Sequence, residues 1–299
     1  MNILVIKLGA LGDFVQAFDA FAAIRARHPD EHITLLTTAP FAEIGERSPW
    51  FDRVLVDARP GWLNLPGILR LRRMLQGFDF VFDLQTSGRS ARYFWLAGRP
   101  PWSGIARGAS HPHTNKARDR MHNAERLREQ LVMAGVREFP RADLSWFTPG
   151  GPALPKPYAL LVPGCSPHLS EKRWPTERFG EFARLIADRG VLPVVVGTKS
   201  ERDLGATIRA ACPAARDLTG QTSLFDLAGV AARASLAVGN DTGPIHLAAA
   251  VGCPCIALFS ARSDPGHAAP RGPVPGSVTV LREADLADLS LERVAACLP

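Results

Sequence analysis

The feature that most narrows the fold is an alternation that runs through the whole chain and is interrupted once. Short apolar runs of strand length sit at Asn2–Ile6, 33–37, 54–56 and 78–84, and segments of helical period at 14–26 and 65–75. In the first of those helices the apolar positions are 14, 17, 18, 21 and 24, the spacing of one helix face. The pattern stops over 138–157, where Pro140, Pro149, Gly150, Gly151, Pro152, Pro155 and Pro157 stand without any apolar period and read as a linker. It then restarts, with strands at Tyr158–Val162, 191–196, 236–238 and Cys255–Phe259 and helices at 176–189, 201–211, Leu224–Arg233 and 245–250. Alternation of this kind implies a parallel sheet covered by helices on both faces. Two such halves around a Pro/Gly linker predict an α/β protein of two facing Rossmann-like domains, 1–145 and 146–299, with an interdomain cleft. The length of 299 residues fits two domains of roughly 150.

Composition removes several classes of function. An apolar share of 46% and a charged share of 21% are ordinary for a globular chain, so disorder is not expected. The most apolar stretch, 244–259, is broken by His246, Gly252 and Pro254 and is too short to span a bilayer. The first apolar run ends at Lys7 with Asp13 following, which is no secretory signal, and a cytoplasmic protein is expected. Five cysteines, at 165, 212, 253, 255 and 297, make no disulfide framework. Cys253-Pro-Cys255 lacks the two-residue spacer of a zinc or redox pair, so buried thiols are expected and no metal or cofactor. The net charge is +6 and uneven: residues 1–150 hold 20 basic and 15 acidic groups, and 151–299 hold 15 and 14. No aromatic-interleaved basic stripe or nucleic-acid motif accompanies the charge, so no nucleic-acid partner is expected. It points to an anionic substrate met by the first half.

Three loops follow strand ends, where open α/β sheets bind ligands. Lys7-Leu-Gly-Ala-Leu-Gly-Asp13 lacks the glycine spacing of a dinucleotide fingerprint, but Gly9 and Gly12 allow close approach of the backbone to a bound group. Asp13 has two readings here, a carboxylate at the mouth of the cleft or the N-cap of its helix. Val162-Pro-Gly-Cys-Ser-Pro-His-Leu-Ser-Glu-Lys-Arg-Trp-Pro175 offers backbone amides, the Ser166 hydroxyl and Lys172, a mobile cation suited to phosphate, with Pro175 set for the first turn of the next helix. Gly239-Asn-Asp-Thr-Gly-Pro-Ile-His246 is a tight turn into a helix opening at Gly243-Pro244, a ready pyrophosphate site. Asp241 there is suited to sugar hydroxyls or to capping, and His246, one turn in, is expected to face the cleft.

Together these loops resemble glycosyltransferase family 9, the ADP-heptose:lipopolysaccharide heptosyltransferases. The likeness lies in Ile3-Leu-Val-Ile-Lys-Leu-Gly-Ala-Leu-Gly-Asp13, Phe78-Asp-Phe-Val-Phe-Asp-Leu-Gln85, Lys172-Arg-Trp-Pro175 and Asp241-Thr-Gly-Pro-Ile-His-Leu-Ala-Ala-Ala250, continued by Gly252-Cys-Pro254 and Ala257-Leu-Phe259. The resemblance implies a GT-B fold with an acceptor-binding first lobe, a donor-binding second lobe and no required metal. It implies an inverting transfer of heptose from ADP-heptose to a lipopolysaccharide inner-core acceptor, an anionic lipid-linked glycan, with peripheral contact at the cytosolic face of the inner membrane. Asp13 matches the family's general base and Lys172 its phosphate-binding lysine. Asp241, Thr242, Gly243 and His246 match its donor segment, and Glu201 is a candidate for the ribose. On the acceptor side stand Gly12 and the loop arginines Arg59, Arg107, Arg118 and Arg120. The family's usual Leu-Phe-Gly-Pro-Thr is replaced after Phe259 by Ser260-Ala-Arg-Ser-Asp264, which leaves the sugar open. A family member using another nucleotide sugar, a two-lobed sugar-nucleotide epimerase and a regulatory nucleotide-sugar binder are the alternatives.

Overall fold

A computed structural model describes residues 1–165 and 173–298. The chain forms two compact units, Met1–Asp143 and Leu144–Pro299. The first runs β1 (Asn2–Ile6), α1 (Leu11–Val15), α2 (Phe18–Arg27), β2 (His32–Thr37), α3 (Ala39–Arg47), β3 (Arg53–Val56), α4 (Leu65–Met74), β4 (Phe80–Asp83), α5 (Gly88–Leu96), β5 (Trp102–Gly104), β6 (His111–Pro112) and α6 (Asn123–Met133). Its strands pair in parallel in the order 3-2-1-4-5-6, with Ile3 in register with Ile33 on one side and Phe80 on the other. Ile3, Leu4, Val5 and Ile6 are all wholly buried, as a central strand covered on both faces requires.

The structure departs from the sequence reading in places that short-range pattern cannot reach. The single helix expected over 14–26 is two, α1 and α2, which separate at Gln16 and Ala17. Asp13 is not the N-cap: Ala10 holds that position, and Asp13 lies in the first turn of α1. Strands β5 and β6 have three and two residues, too few to show a period, and were not anticipated, nor were α3, α5 and α6.

The second unit repeats the winding with β7 (Tyr158–Val162), α7 (Thr176–Asp188), β8 (Leu192–Val195), α8 (Arg202–Ala211), β9 (Arg216–Asp217), α9 (Leu224–Arg233), β10 (Leu236–Asn240), α10 (Gly243–Ala250), β11 (Cys255–Phe259), α11 (Pro265–Ala268), β12 (Val278–Arg282) and α12 (Leu291–Ala295). The strand order 12-11-10-7-8-9 is again all parallel. Trp174, Phe179, Phe182 and Ile186 fill the space over Leu161, Val195, Val238 and Leu258. The Trp174 indole N–H donates to the Leu289 carbonyl at 2.8 Å, so the ring is buried without an unpaired donor. Pro175 is the N-cap residue of α7 rather than part of its first turn.

The segment read as a linker is packed rather than loose. Phe147 is fully buried, edge-on to Phe225 with centroids 4.6 Å apart, and Trp146 stacks on it at 5.1 Å. Arg233 donates to the Gly150 carbonyl at 3.0 Å. Gly151 has φ +85° and no room for a Cβ, which would lie 2.5 Å from the Asp226 carbonyl oxygen. From Leu144 onward the segment is therefore a built part of the second unit, while Arg141 and Ala142 are tied to Asp19 of the first. Phe147→Ala should cost about 3–5 kcal/mol of stability in urea unfolding, the range for emptying a buried aromatic site. A change within about 0.5 kcal/mol, the surface range, would mean that this packing contributes nothing.

Candidate functional site

In each unit the strand order reverses between two central strands, β1 and β4 in the first and β7 and β10 in the second. The loops leaving such a pair diverge and open a crevice at the carboxyl ends of the strands. In the first unit the loop after β1 is held by two contacts to the loop after β4. Lys7 Nζ donates to the Leu84 carbonyl at 3.1 Å, and the Leu8 amide donates to Gln85 Oε1 at 2.8 Å. Gly9 follows at φ +116°, where a Cβ would stand 2.5 Å from the Phe41 ring, so only glycine fits. Gly12 lies in α1, its carbonyl accepting from the Gln16 amide at 3.0 Å.

Asp13 is half-buried one helical turn beyond this loop. Its Oδ1 accepts from Asn123 Nδ2 at 2.9 Å, and Asn123 Oδ1 accepts from Arg126 Nη2 at 2.7 Å. The carboxylate is thus tied through one oxygen to the start of α6, with Lys7 and Arg126 close enough to feel its charge. Burial pushes the Lys7 ammonium down to about 8, against the opposing pull of Asp13. Burial also lifts the Asp83 carboxyl to about 6, although it accepts hydrogen bonds from the Thr86 and Gln85 amides. Sequence reasoning did not single out Lys7, Asp83, Asn123 or Arg126 as site residues.

The arginines expected on the acceptor side do not share one environment. Arg118 is folded inward, its Nε donating to His113 Nδ1 at 3.4 Å, while His113 Nε2 lies 3.1 Å from Glu129. Hydrogen bonds from Asn115 and His113 hold the Glu129 carboxyl below its usual range. Arg118 Nη2 and Arg126 Nε are buried without a hydrogen-bond partner among the described residues. Guanidinium N–H groups left so are poised for an anion. Arg59 and Arg107 are exposed on separate loops, and Arg120 is exposed at the end of a short 3-10 turn.

In the second unit the organising residue is Asn240, the buried last residue of β10. Its Oδ1 accepts from the Trp174 amide at 2.9 Å, and its Nδ2 donates to the carbonyls of Pro163 at 2.8 Å and Gly164 at 3.3 Å. One side chain therefore holds the two ends of the loop after β7. Ser166 and Lys172 lie outside the described residues. Glu201 caps its own turn, accepting from the Thr198 amide at 2.6 Å and hydroxyl at 2.9 Å. It also packs against Gly164, where a Cβ would lie 1.8 Å from its Oε1. Thr242 is the N-cap of α10, Gly243 and Pro244 open the helix, and the Thr242 hydroxyl donates to the Asn240 carbonyl at 3.2 Å. The His246 ring is buried, with Nε2 3.4 Å from Asp241 Oδ1. The capping reading of Asp241 gives way to this pairing, since Thr242 takes the N-cap position. Cys165, Cys212, Cys253 and Cys255 are buried and Cys297 half-buried, and none of the five is in a disulfide.

Two tandem units of this winding, each with ligand-type loops at its reversal point, define an α/β protein of the GT-B class. Residues 68–295 match glycosyltransferase family 9 (heptosyltransferase), and the chain belongs to that family. A lipopolysaccharide heptosyltransferase 1 of Pseudomonas aeruginosa is 28% identical over 293 residues, covering 89% of this chain and 80% of its own. The structure of the Escherichia coli heptosyltransferase WaaC with ADP superposes with a TM-score of 0.80 at 24% identity, covering 99% of this chain and 98% of that one. The E. coli ADP-heptose lipopolysaccharide heptosyltransferase II gives 0.75 at 21%, covering 99% and 97%. The chain is accordingly a glycosyltransferase. Among the described residues no helix is long and apolar enough to cross a membrane.

Two measurements test the site's construction. A carboxyl whose pKa is raised on folding contributes stability that is present below its unfolded value of 3.8 and lost as pH rises through about 6. At 1.36 kcal/mol per unit, Asp83 should account for a fall of about 3 kcal/mol across that window. Asp83→Asn keeps an acceptor for both amides and should remove that fall in urea titrations between pH 4 and pH 7. Identical pH slopes in variant and wild type would show that Asp83 is not so buried in solution. Asn240→Leu should cost about 2–4 kcal/mol, because it leaves the Trp174 amide and two carbonyls unpaired. A loss under 1 kcal/mol would mean that the clamp is not formed.

Proposed function

We propose that this chain is an inverting, metal-independent glycosyltransferase that moves heptose from ADP-heptose to an anionic, lipid-linked inner-core acceptor of lipopolysaccharide. The reaction is placed at the cytosolic face of the inner membrane, with the enzyme in peripheral contact. The observation that carries the reading is the setting of Asp13: a carboxylate at the β1 loop, held through one oxygen by Asn123, with Lys7 and Arg126 beside it. A general base needs a fixed direction and an oxygen left for the incoming proton. The printed names support the substrates, since similar structures were solved with ADP and with ADP-2-deoxy-2-fluoro heptose.

In this mechanism Asp13 takes the proton of the acceptor hydroxyl as that oxygen forms a bond to the anomeric carbon of heptose. The bond from that carbon to the ADP oxygen breaks on the opposite side, inverting the configuration and releasing ADP. The N-terminal domain, 1–145, supplies the base and the acceptor contacts. Gly12 allows close approach, Arg118 offers its buried Nη2 and Arg126 its Nε to an acceptor carboxylate or phosphate, and Arg59, Arg107 and Arg120 reach the outer anionic groups. The C-terminal domain, 146–299, supplies the donor contacts. Lys172, the Ser166 hydroxyl and the amides opening α10 at Thr242 and Gly243 take the charge of the leaving diphosphate. Glu201 is assigned to the ribose in this reading, and Asp241, paired with His246, to sugar hydroxyls. Because lysine and helix amides carry that charge, no divalent cation takes part.

The purified enzyme should release ADP from ADP-heptose only when a lipopolysaccharide-core acceptor is added, and EDTA should leave the rate unchanged. Asp13→Asn should lower turnover by about 10²–10⁴ with donor affinity nearly unchanged. Consumption of the nucleotide sugar without acceptor would favour the epimerase, and loss of activity in chelator would exclude the metal-free mechanism. Turnover of the variant within a few-fold of wild type would remove Asp13 as the base.

A further inference from the structure

The first unit exposes apolar side chains on a loop that is anything but loose. Leu63 is 101% exposed, Leu65 65%, Leu69 45% and Trp62 41%. A wholly exposed leucine at the tip of a floppy loop would mean little, but this loop is fixed from below. Tyr93 OH donates to buried Asp57 at 2.5 Å, and Asp57 Oδ1 accepts from the Arg59 amide at 2.7 Å. Arg89 donates to the Pro60 carbonyl at 3.2 Å, and the Arg89 and Arg92 guanidinium groups lie 5.2 and 5.1 Å from the Trp62 ring centre. The tryptophan is thus braced by two cations while remaining exposed.

The apolar residues continue into α4. Leu65 and Leu69 are one turn apart on the exposed side of that helix, Arg72 and Arg73 follow on the same side, and Leu71 and Leu75 are buried on the other. Residues 58–75 contain four arginines and no acid or lysine, and 84–101 contain three arginines and again no acid. Trp95, on α5, is 57% exposed with Arg99 5.3 Å from its ring centre. Asp57 and Asp83, which immediately precede the two segments, are both buried, and Asp57 is bound to Tyr93. Apolar tips with tryptophan, set in two segments whose charged residues are all arginine, match the chemistry of an anionic bilayer: acyl chains take the leucines, the interface takes the indole and phosphates take the guanidinium groups. A protein partner of ordinary surface composition would not call for two segments without an acid.

We propose that the 59–69 loop and the exposed side of α4 form the surface by which this enzyme docks on an anionic lipid bilayer, with Trp62, Leu63, Leu65 and Leu69 entering the interface. The proposal rests on the reading of the acceptor as lipid-linked, and names the face that meets the lipid. Charge brings the surface to the membrane and the apolar tip holds it there, so both parts are needed.

The full chain is tested by co-sedimentation with vesicles rich in phosphatidylglycerol and with vesicles of phosphatidylcholine alone. Wild type should bind the anionic vesicles about tenfold or more tightly, and added salt should weaken that binding. Leu63→Asp/Leu69→Asp changes only exposed side chains, so its thermal midpoint should stay near wild type while its binding to anionic vesicles falls about tenfold or more. Lipids brominated in the acyl chain should quench the tryptophan fluorescence of wild type, and Trp62→Phe should lose most of that quenching. Equal binding to both vesicle types, wild-type binding by the folded double variant, or quenching unchanged by Trp62→Phe would each overturn the surface. Vesicle binding as described, with no acceptor-dependent ADP release, would instead count against the transferase reading and leave the surface standing.

Discussion

The structure depends most on how each parallel sheet closes its reversal point. Loops that leave two adjacent strands in opposite directions carry backbone amides and carbonyls away from any ladder, and buried groups of that kind must find partners. In the second unit Asn240 answers with one amide: its oxygen takes the Trp174 N–H and its nitrogen serves the carbonyls of Pro163 and Gly164. In the first unit the same position is closed by two side chains, Lys7 on the Leu84 carbonyl and Gln85 on the Leu8 amide. The glycine-bearing loops can then be both rigid and close to a ligand, because side chains from neighbouring strand ends do the holding.

The two solutions differ in electrostatic consequence. An asparagine clamp is neutral, and its burial is fully compensated by hydrogen bonds. A lysine clamp puts a charge in the interior beside Asp83, and burial disfavours both charged forms, lowering the pKa of Lys7 and raising that of Asp83. The first unit accepts this cost next to Asp13, where Lys7, Arg126 and Arg118 make the surroundings cationic. In the proposed reaction that field draws in an anionic acceptor beside the base. The second unit, nearly neutral in sequence, meets a diphosphate in that reading and relies on helix amides and one lysine.

The positive excess of the first half has separable origins in space. Part is inward, in Arg118 and Arg126, each with a buried nitrogen that has no hydrogen-bond partner among the described residues. Part is outward, in the arginines around Trp62 and Trp95. A net charge alone merges the two, although an inward guanidinium selects a particular anion and an outward one responds to any anionic surface.

The sequence by itself determined the winding. Strand-length apolar runs alternating with helical periods announce a doubly wound sheet, and β1, β7, α9 and β11 fall at the boundaries read from the residues. The loops at the strand ends were legible for the same reason, since glycine, proline and polar residues must stand where the chain turns. Short-range pattern also misled: a cap reading of Asp13 follows from its place before an apolar period, while the helix had already begun at Leu11. What only tertiary structure decided is the pairing of distant groups. Asp13 meets Asn123 across 110 residues, and Asn240 meets Pro163 across 77. Periodicity reports which face of an element is buried, because burial acts on each residue locally. It carries no record of which polar group from elsewhere will lie against that face, and so the residues that hold the site became visible only in the folded chain.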